Sequence, residues 1–198
     1  ANTGTIRDSA FTGTFGFSSF EQLDLQGGND TLTINGNSSG VSLASSVDLG
    51  SGDNSLTMNS SAGSIAALSS GTGNDTFTIS AGSITGALAA SDGTNQLTII
   101  GTSSSVGSYS GGSGVDTVTL SGGYVGGALS SGDGNDAVLI SSTSSSIGAN
   151  LDLGAGMGDT LSYAGYGSGV TATMSGSNTL SSVTCLLYTS DAADEEDS

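Results

Sequence analysis

Gly71-Thr72-Gly73-Asn74-Asp75-Thr76-Phe77-Thr78-Ile79 is the stretch that decides the fold. A Gly-rich turn ends on an acidic residue. In the strand that follows, Phe77 and Ile79 alternate with Thr76 and Thr78. Period-two alternation means a strand with one buried face. The same arrangement recurs on both sides. The turn-ending residues are Asp30, Asn54, Asp75, Asn95, Asp116, Asp136 and Asp159, at spacings of 24, 21, 20, 21, 20 and 23. Two residues on lie Leu32, Leu56, Phe77, Leu97, Val118, Val138 and Leu161. Four residues on lie Ile34, Met58, Ile79, Ile99, Leu120, Ile140 and Tyr163. All fourteen positions are apolar, so each repeat opens with the same half-buried strand. Between them stand Thr33, Thr57, Thr78, Thr98, Thr119, Leu139 and Ser162.

A second apolar mark falls seven residues before the turn residue, at Val47, Leu68, Leu88, Tyr109 and Leu129, and shifts to Leu151 and Leu153 in the last repeat. A third often precedes it, at Val41, Ile65, Ile84, Val106, Val125 and Ile147. Each repeat therefore carries at least two strands, joined by turns of Gly, Ser and Asn. One such coil cannot bury its apolar face alone. Stacking coils about 4.8 Å apart pairs every strand with its counterpart above and below. The expected fold is all-β: a parallel β-helix or β-roll-like solenoid of about seven coils of roughly 20–24 residues. Up-and-down hairpins are the competing arrangement, disfavoured by the steady repeat length. Residues 1–25 are expected to lead in, 26–184 to form the repeats, and 185–198 to be a disordered, non-native tail. Open sheet edges at the two ends would promote self-association.

Composition narrows the function classes. The chain has 198 residues, 34 Gly, no Pro, Trp or His, one basic residue (Arg7) and a formal charge of −17. Nucleic-acid binding is disfavoured, because it needs Lys and Arg at phosphates. No stretch approaches the roughly 18 apolar residues of a membrane span, so membrane insertion of this segment is not expected. No signal peptide opens at Ala1, and the segment reads as internal to a longer protein. An enzyme is not expected either: general bases of the Lys or His kind are absent, and paired carboxylates such as Asp133 and Asp136 sit in a repeated turn. No catalytic residue is assigned.

The turn of residues 71–79 resembles the calcium-binding repeats of bacterial RTX-type proteins, and Gly27-Gly28-Asn29-Asp30-Thr31-Leu32 and Gly132-Asp133-Gly134-Asn135-Asp136 are similar. Phe20-Glu21-Gln22-Leu23-Asp24-Leu25 and Asp159-Thr160-Leu161-Ser162-Tyr163, followed by Gly169-Val170-Thr171-Ala172-Thr173-Met174, resemble pieces of RTX-like and autotransporter-like surface proteins. Repeats of nine residues would put calcium at both turns of a coil, whereas here one turn per coil keeps the signature. The period is closer to a bacterial giant adhesin with a Gly-Thr-Gly-Asn-Asp turn that binds calcium and ice. Only residues 71–75 carry that turn in full, so the resemblance supports ice binding weakly.

The resemblance implies a secreted or cell-surface segment, a stalk or adhesin passenger, with a calcium-loaded secretion module as the alternative. A polysaccharide-active β-helix enzyme and an ice-binding solenoid are further, weaker alternatives. Its partners would be neighbouring repeats of the same polypeptide and an unknown host or surface ligand. Calcium wants six to eight oxygen ligands, which Gly-rich turns beside carboxylates can offer. The candidate metal residues are Asp30, Asp53, Asp75, Asp116, Asp133, Asp136 and Asp159. Two like charges one strand spacing apart repel by about 0.8 kcal/mol even in water, a term that a bound cation would reverse. The alternative is that Asp and Asn cap turns through side-chain-to-backbone bonds.

Residues 185–196 read Cys-Leu-Leu-Tyr-Thr-Ser-Asp-Ala-Ala-Asp-Glu-Glu, and Cys185 to Glu195 resemble translated read-through of a sequencing adapter. The tail breaks the repeat and holds the only Cys. Without it, 13 acidic residues remain against Arg7, a charge of −12. Such segments are excluded from fold reasoning.

Overall fold

The structure, a computed structural model, describes residues 22–35, 42–174 and 179–185. Most of the expected lead-in and of the expected tail therefore lies outside the described residues. Among the described residues there is no helix. The strands are β1 (Leu23–Asp24), β2 (Thr31–Ile34), β3 (Ser42–Asp48), β4 (Ser55–Ser69), β5 (Thr76–Ala89), β6 (Gln96–Ile100), β7 (Ser105–Ser113) and β8 (Thr117–Ser121). They continue as β9 (Tyr124–Val125), β10 (Leu129–Asp133), β11 (Ala137–Ile140), β12 (Ser146–Ile147), β13 (Leu151–Asp152), β14 (Thr160–Ser162), β15 (Val170–Met174) and β16 (Thr179–Cys185).

Three parallel ladders run along the molecule. The first joins β2, β4, β5, β6, β8, β11 and β14, with Leu32, Leu56, Phe77, Leu97, Val118, Val138 and Leu161 in register. The second carries Leu43, Ile65, Ile84, Val106, Val125 and Ile147. The third carries Leu23, Val47, Leu68, Leu88, Tyr109, Leu129 and Leu151. Like offsets stack on like offsets, which is what a repeat of near-constant length demands of parallel strands. The seven strands of the first ladder enclose about six turns of a β-solenoid. Among the described residues the second ladder opens with Ser42 and Leu43, and Val41, the apolar mark expected there, lies outside them.

The side chains follow the pleat. Leu56, Met58, Phe77, Ile79, Leu97, Ile99, Val118 and Leu120 are wholly buried, and with the columns of the other two ladders they make one continuous core. The intervening Thr57, Thr78, Thr98 and Thr119 face outward and are half-buried. Leu97→Ala is expected to cost about 2–5 kcal/mol, and Thr98→Ala no more than about 1 kcal/mol. Urea denaturation of the two variants checks this assignment of faces.

The parallel regime gives way after β14. Tyr163 packs edge-on against Tyr166, ring centroids 5.3 Å apart at 88°. β15 and β16 form an antiparallel pair, and β16 also pairs antiparallel with β13 through Leu151 and Leu180. That strand covers part of the C-terminal edge of the third ladder.

Candidate functional site, the turn row

Each coil turns tightly before its first strand. Gly28, Gly52, Gly73, Gly93, Gly114 and Gly134, two residues before the turn-ending residue, all have φ between 122° and 148°. Side chains rarely tolerate that region. A Cβ on Gly73 would strike the carbonyl of Gly52 in the coil below, and one on Gly134 the carbonyl of Gly114. Bare backbone thus lets successive turns stack in contact.

This packing swings the turn-ending side chain inward. Asn54, Asp75, Asn95, Asp116 and Asp136 are at most 2% exposed, whereas Asp30 and Asp159, at the two ends of the row, are half-buried. Each Oδ1 accepts the backbone N–H of its counterpart one coil earlier. Asp30 N donates to Asn54 Oδ1 at 2.9 Å, Asn54 N to Asp75 at 2.8 Å and Asp75 N to Asn95 at 3.0 Å. Asn95 N donates to Asp116 at 2.8 Å, Asp116 N to Asp136 at 2.8 Å and Asp136 N to Asp159 at 2.9 Å. Six consecutive bonds make a ladder of side chains inside the solenoid. Asp and Asn are interchangeable at this atom, because each presents an sp² oxygen.

A second row, one residue earlier and exposed, runs the other way. Asn29 Oδ1 accepts from Asp53 N, Asp53 Oδ1 from Asn74 N, and Asn74 Oδ1 from Thr94 N, at 2.8–2.9 Å. Asn135 Oδ1 accepts from Met157 and Gly158 N–H. Reading the turn-ending residue alone missed this row. Its signal was the Asn or Asp at positions 29, 53, 74 and 135.

The seven candidate metal residues are therefore divided. Asp75, Asp116 and Asp136 point inward, Asp30 and Asp159 are half-buried at the row's ends, and Asp53 and Asp133 are exposed. Among the described residues, no three acidic, His or Cys side chains gather in a way that could hold a metal ion. The inward carboxylates of Asp75, Asp116 and Asp136 engage backbone N–H groups through Oδ1. Through these bonds the side chains cap turns from one coil to the next.

The row is electrostatically unusual. Burial, the leading cause, raises Asp75, Asp116 and Asp136 above the usual carboxylate range, and pushes Asp116 up to about 6. Burial and the neighbouring Asp116 also raise the Tyr109 hydroxyl. The exposed Asp92 goes the other way, lowered by its bonds with Ser113.

No family model, curated protein or solved structure matches this chain.

Proposed function

We propose that this chain is a structural segment of a secreted or surface-attached bacterial protein: a stalk or passenger region that holds a binding element away from the cell. The supporting observation is the use made of the polar turn residues. In six consecutive coil-to-coil steps they bond one coil to the next, which suits a rod built for length and stiffness. At about 4.8 Å per step, the six steps span roughly 29 Å, and further repeats would extend the rod in proportion. Its working partners are then the neighbouring repeats of the same polypeptide and a ligand at the tip.

The alternative, a calcium-loaded secretion module, makes a different prediction. A rod sustained by its own ladders keeps its β-type far-ultraviolet CD and a cooperative melt in excess EGTA. A secretion module is unfolded in EGTA and folds when calcium is added. The first result supports the stalk; the second replaces it with the module. Release of new reducing ends from acidic glycans by the purified chain would contradict both.

A further inference from the structure

We propose that Asp75, Asp116 and Asp136 stand in the folded row as neutral carboxylic acids, each donating from Oδ2 where Asn54 and Asn95 donate from Nδ2. The two asparagines show what the position requires. Asn54 Nδ2 donates to the carbonyls of Gly50, Gly52 and Ser70, at 3.0, 2.9 and 3.3 Å. Asn95 Nδ2 donates to Ser91 O at 3.0 Å and Gly93 O at 3.5 Å. This side of the row is therefore an acceptor wall. An ionised carboxylate has no donor to offer it.

In the aspartate coils the second oxygen is left over. Oδ2 of Asp75, Asp116 and Asp136 is buried and has no hydrogen-bond partner. Asp116 Oδ2 and Ser131 O converge on the space above Gly111, where a Cβ would strike both. Ser131 holds the same place, relative to Asp116, that Ser70 holds relative to Asn54. Two acceptors thus meet where the asparagine coil has a donor and an acceptor.

Over the five buried positions of the row, the residue five before differs with the row residue. Leu49 precedes Asn54 and Ala90 precedes Asn95, whereas Ser70, Gly111 and Ser131 precede Asp75, Asp116 and Asp136. Ser70 Oγ lies beside Asp75, and Ser131 Oγ beside Asp136. Both hydroxyls already donate elsewhere, to Ala90 O at 3.0 Å and to Leu153 O at 3.1 Å. What remains on each is a lone pair, which accepts from a carboxylic O–H. Asp116 has the buried Tyr109 hydroxyl near it instead.

The charged groups facing the row all oppose ionisation, whereas the backbone N–H bonds and the Ser70, Tyr109 and Ser131 hydroxyls favour the carboxylate and are outweighed by burial. Asp53 acts on Asp75, Asp136 on Asp116, and Asp159 and Asp133 on Asp136. Among the described residues there is no Lys, Arg or His. The row is thus a pH-sensitive seam. A carboxyl raised on folding contributes stability that is complete below its unfolded value and is lost as pH rises through the folded value. The window runs upward from about pH 4 through the value near 6 of Asp116.

The test uses the whole chain in EGTA at about pH 5 and about pH 7.5, an interval in which exposed Asp and Glu stay ionised. With no His in the chain, little else titrates there. The unfolding constant is expected to rise about tenfold between the two from Asp116 alone. Asp75→Asn, Asp116→Asn and Asp136→Asn combined should abolish that rise and leave the protein more stable than the parent at about pH 7.5. Asp53→Asn, Asp92→Asn and Asp133→Asn combined, which removes as much charge from the outside, should keep the rise. In the parent at about pH 5, the infrared C=O band of protonated carboxylic acid should persist and should vanish in the inner variant. A flat pH profile with no such band overturns the proposal. So does calcium that restores the parent at neutral pH but does nothing for the inner variant, since the row would then hold a cation.

Discussion

Phe77→Ala will lower the unfolding free energy by about 3–5 kcal/mol. Phe77 is among the largest side chains that are fully buried, and it stacks in register between Leu56 and Leu97. Removing its ring opens a void in the middle of a narrow core, where neighbours are fixed by their own ladder bonds and cannot collapse inward. A domain of this size commonly has only about 5–15 kcal/mol to lose. The variant should therefore denature at much lower urea, measured against Leu161→Ala at the end of the column, where burial is partial. A loss below about 1 kcal/mol would mean that the column is not packed.

Gly73→Val is expected to be comparably damaging through the backbone. Its φ of 143° lies where a β-branched residue is an outlier, and its Cβ would meet Gly52 O and C of the preceding coil. Strain costs about 1–3 kcal/mol and overpacking about as much again. The two turns must also separate, which stretches the bond from Gly52 N to Thr72 O, 2.8 Å in the parent. Thermal melting with limited proteolysis should show a lower midpoint and cleavage near residues 70–75. Unchanged melting and protection would show that the turns do not stack in contact.

The strand columns were legible because parallel in-register stacking maps a repeat onto itself. Positions two and four after the turn residue were apolar throughout, and all of them stand in the first ladder except Tyr163, which lies past the end of β14 and packs against Tyr166. Turn chemistry was less legible. An Asp or Asn beside glycines suggests a surface loop, yet Asp75 and Asp116 are interior. Only the alternation at residues 49, 70, 90, 111 and 131 carried that information, and it is intelligible only once the row is seen to face the next coil. Of the second row of apolar marks, Val41 lies outside the described residues. The other marks of that row, Ile65, Ile84, Val106, Val125 and Ile147, stand in the second ladder together with Leu43. The antiparallel β15–β16 pair follows the last repeat, where periodicity has ended and offers no guidance.

Stacking in register is the central claim, and electron paramagnetic resonance distances test it most directly. With Cys185 replaced by Ser, spin labels would be placed in pairs at outward sites of the first ladder: Thr57 with Thr119, with Leu139 and with Ser162. These pairs are three, four and five rungs apart. The backbone separations expected are about 14, 19 and 24 Å, a constant increment of about 4.8 Å per coil. Distances that fail to grow by equal steps, or that alternate between short and long as in up-and-down hairpins, would contradict the solenoid.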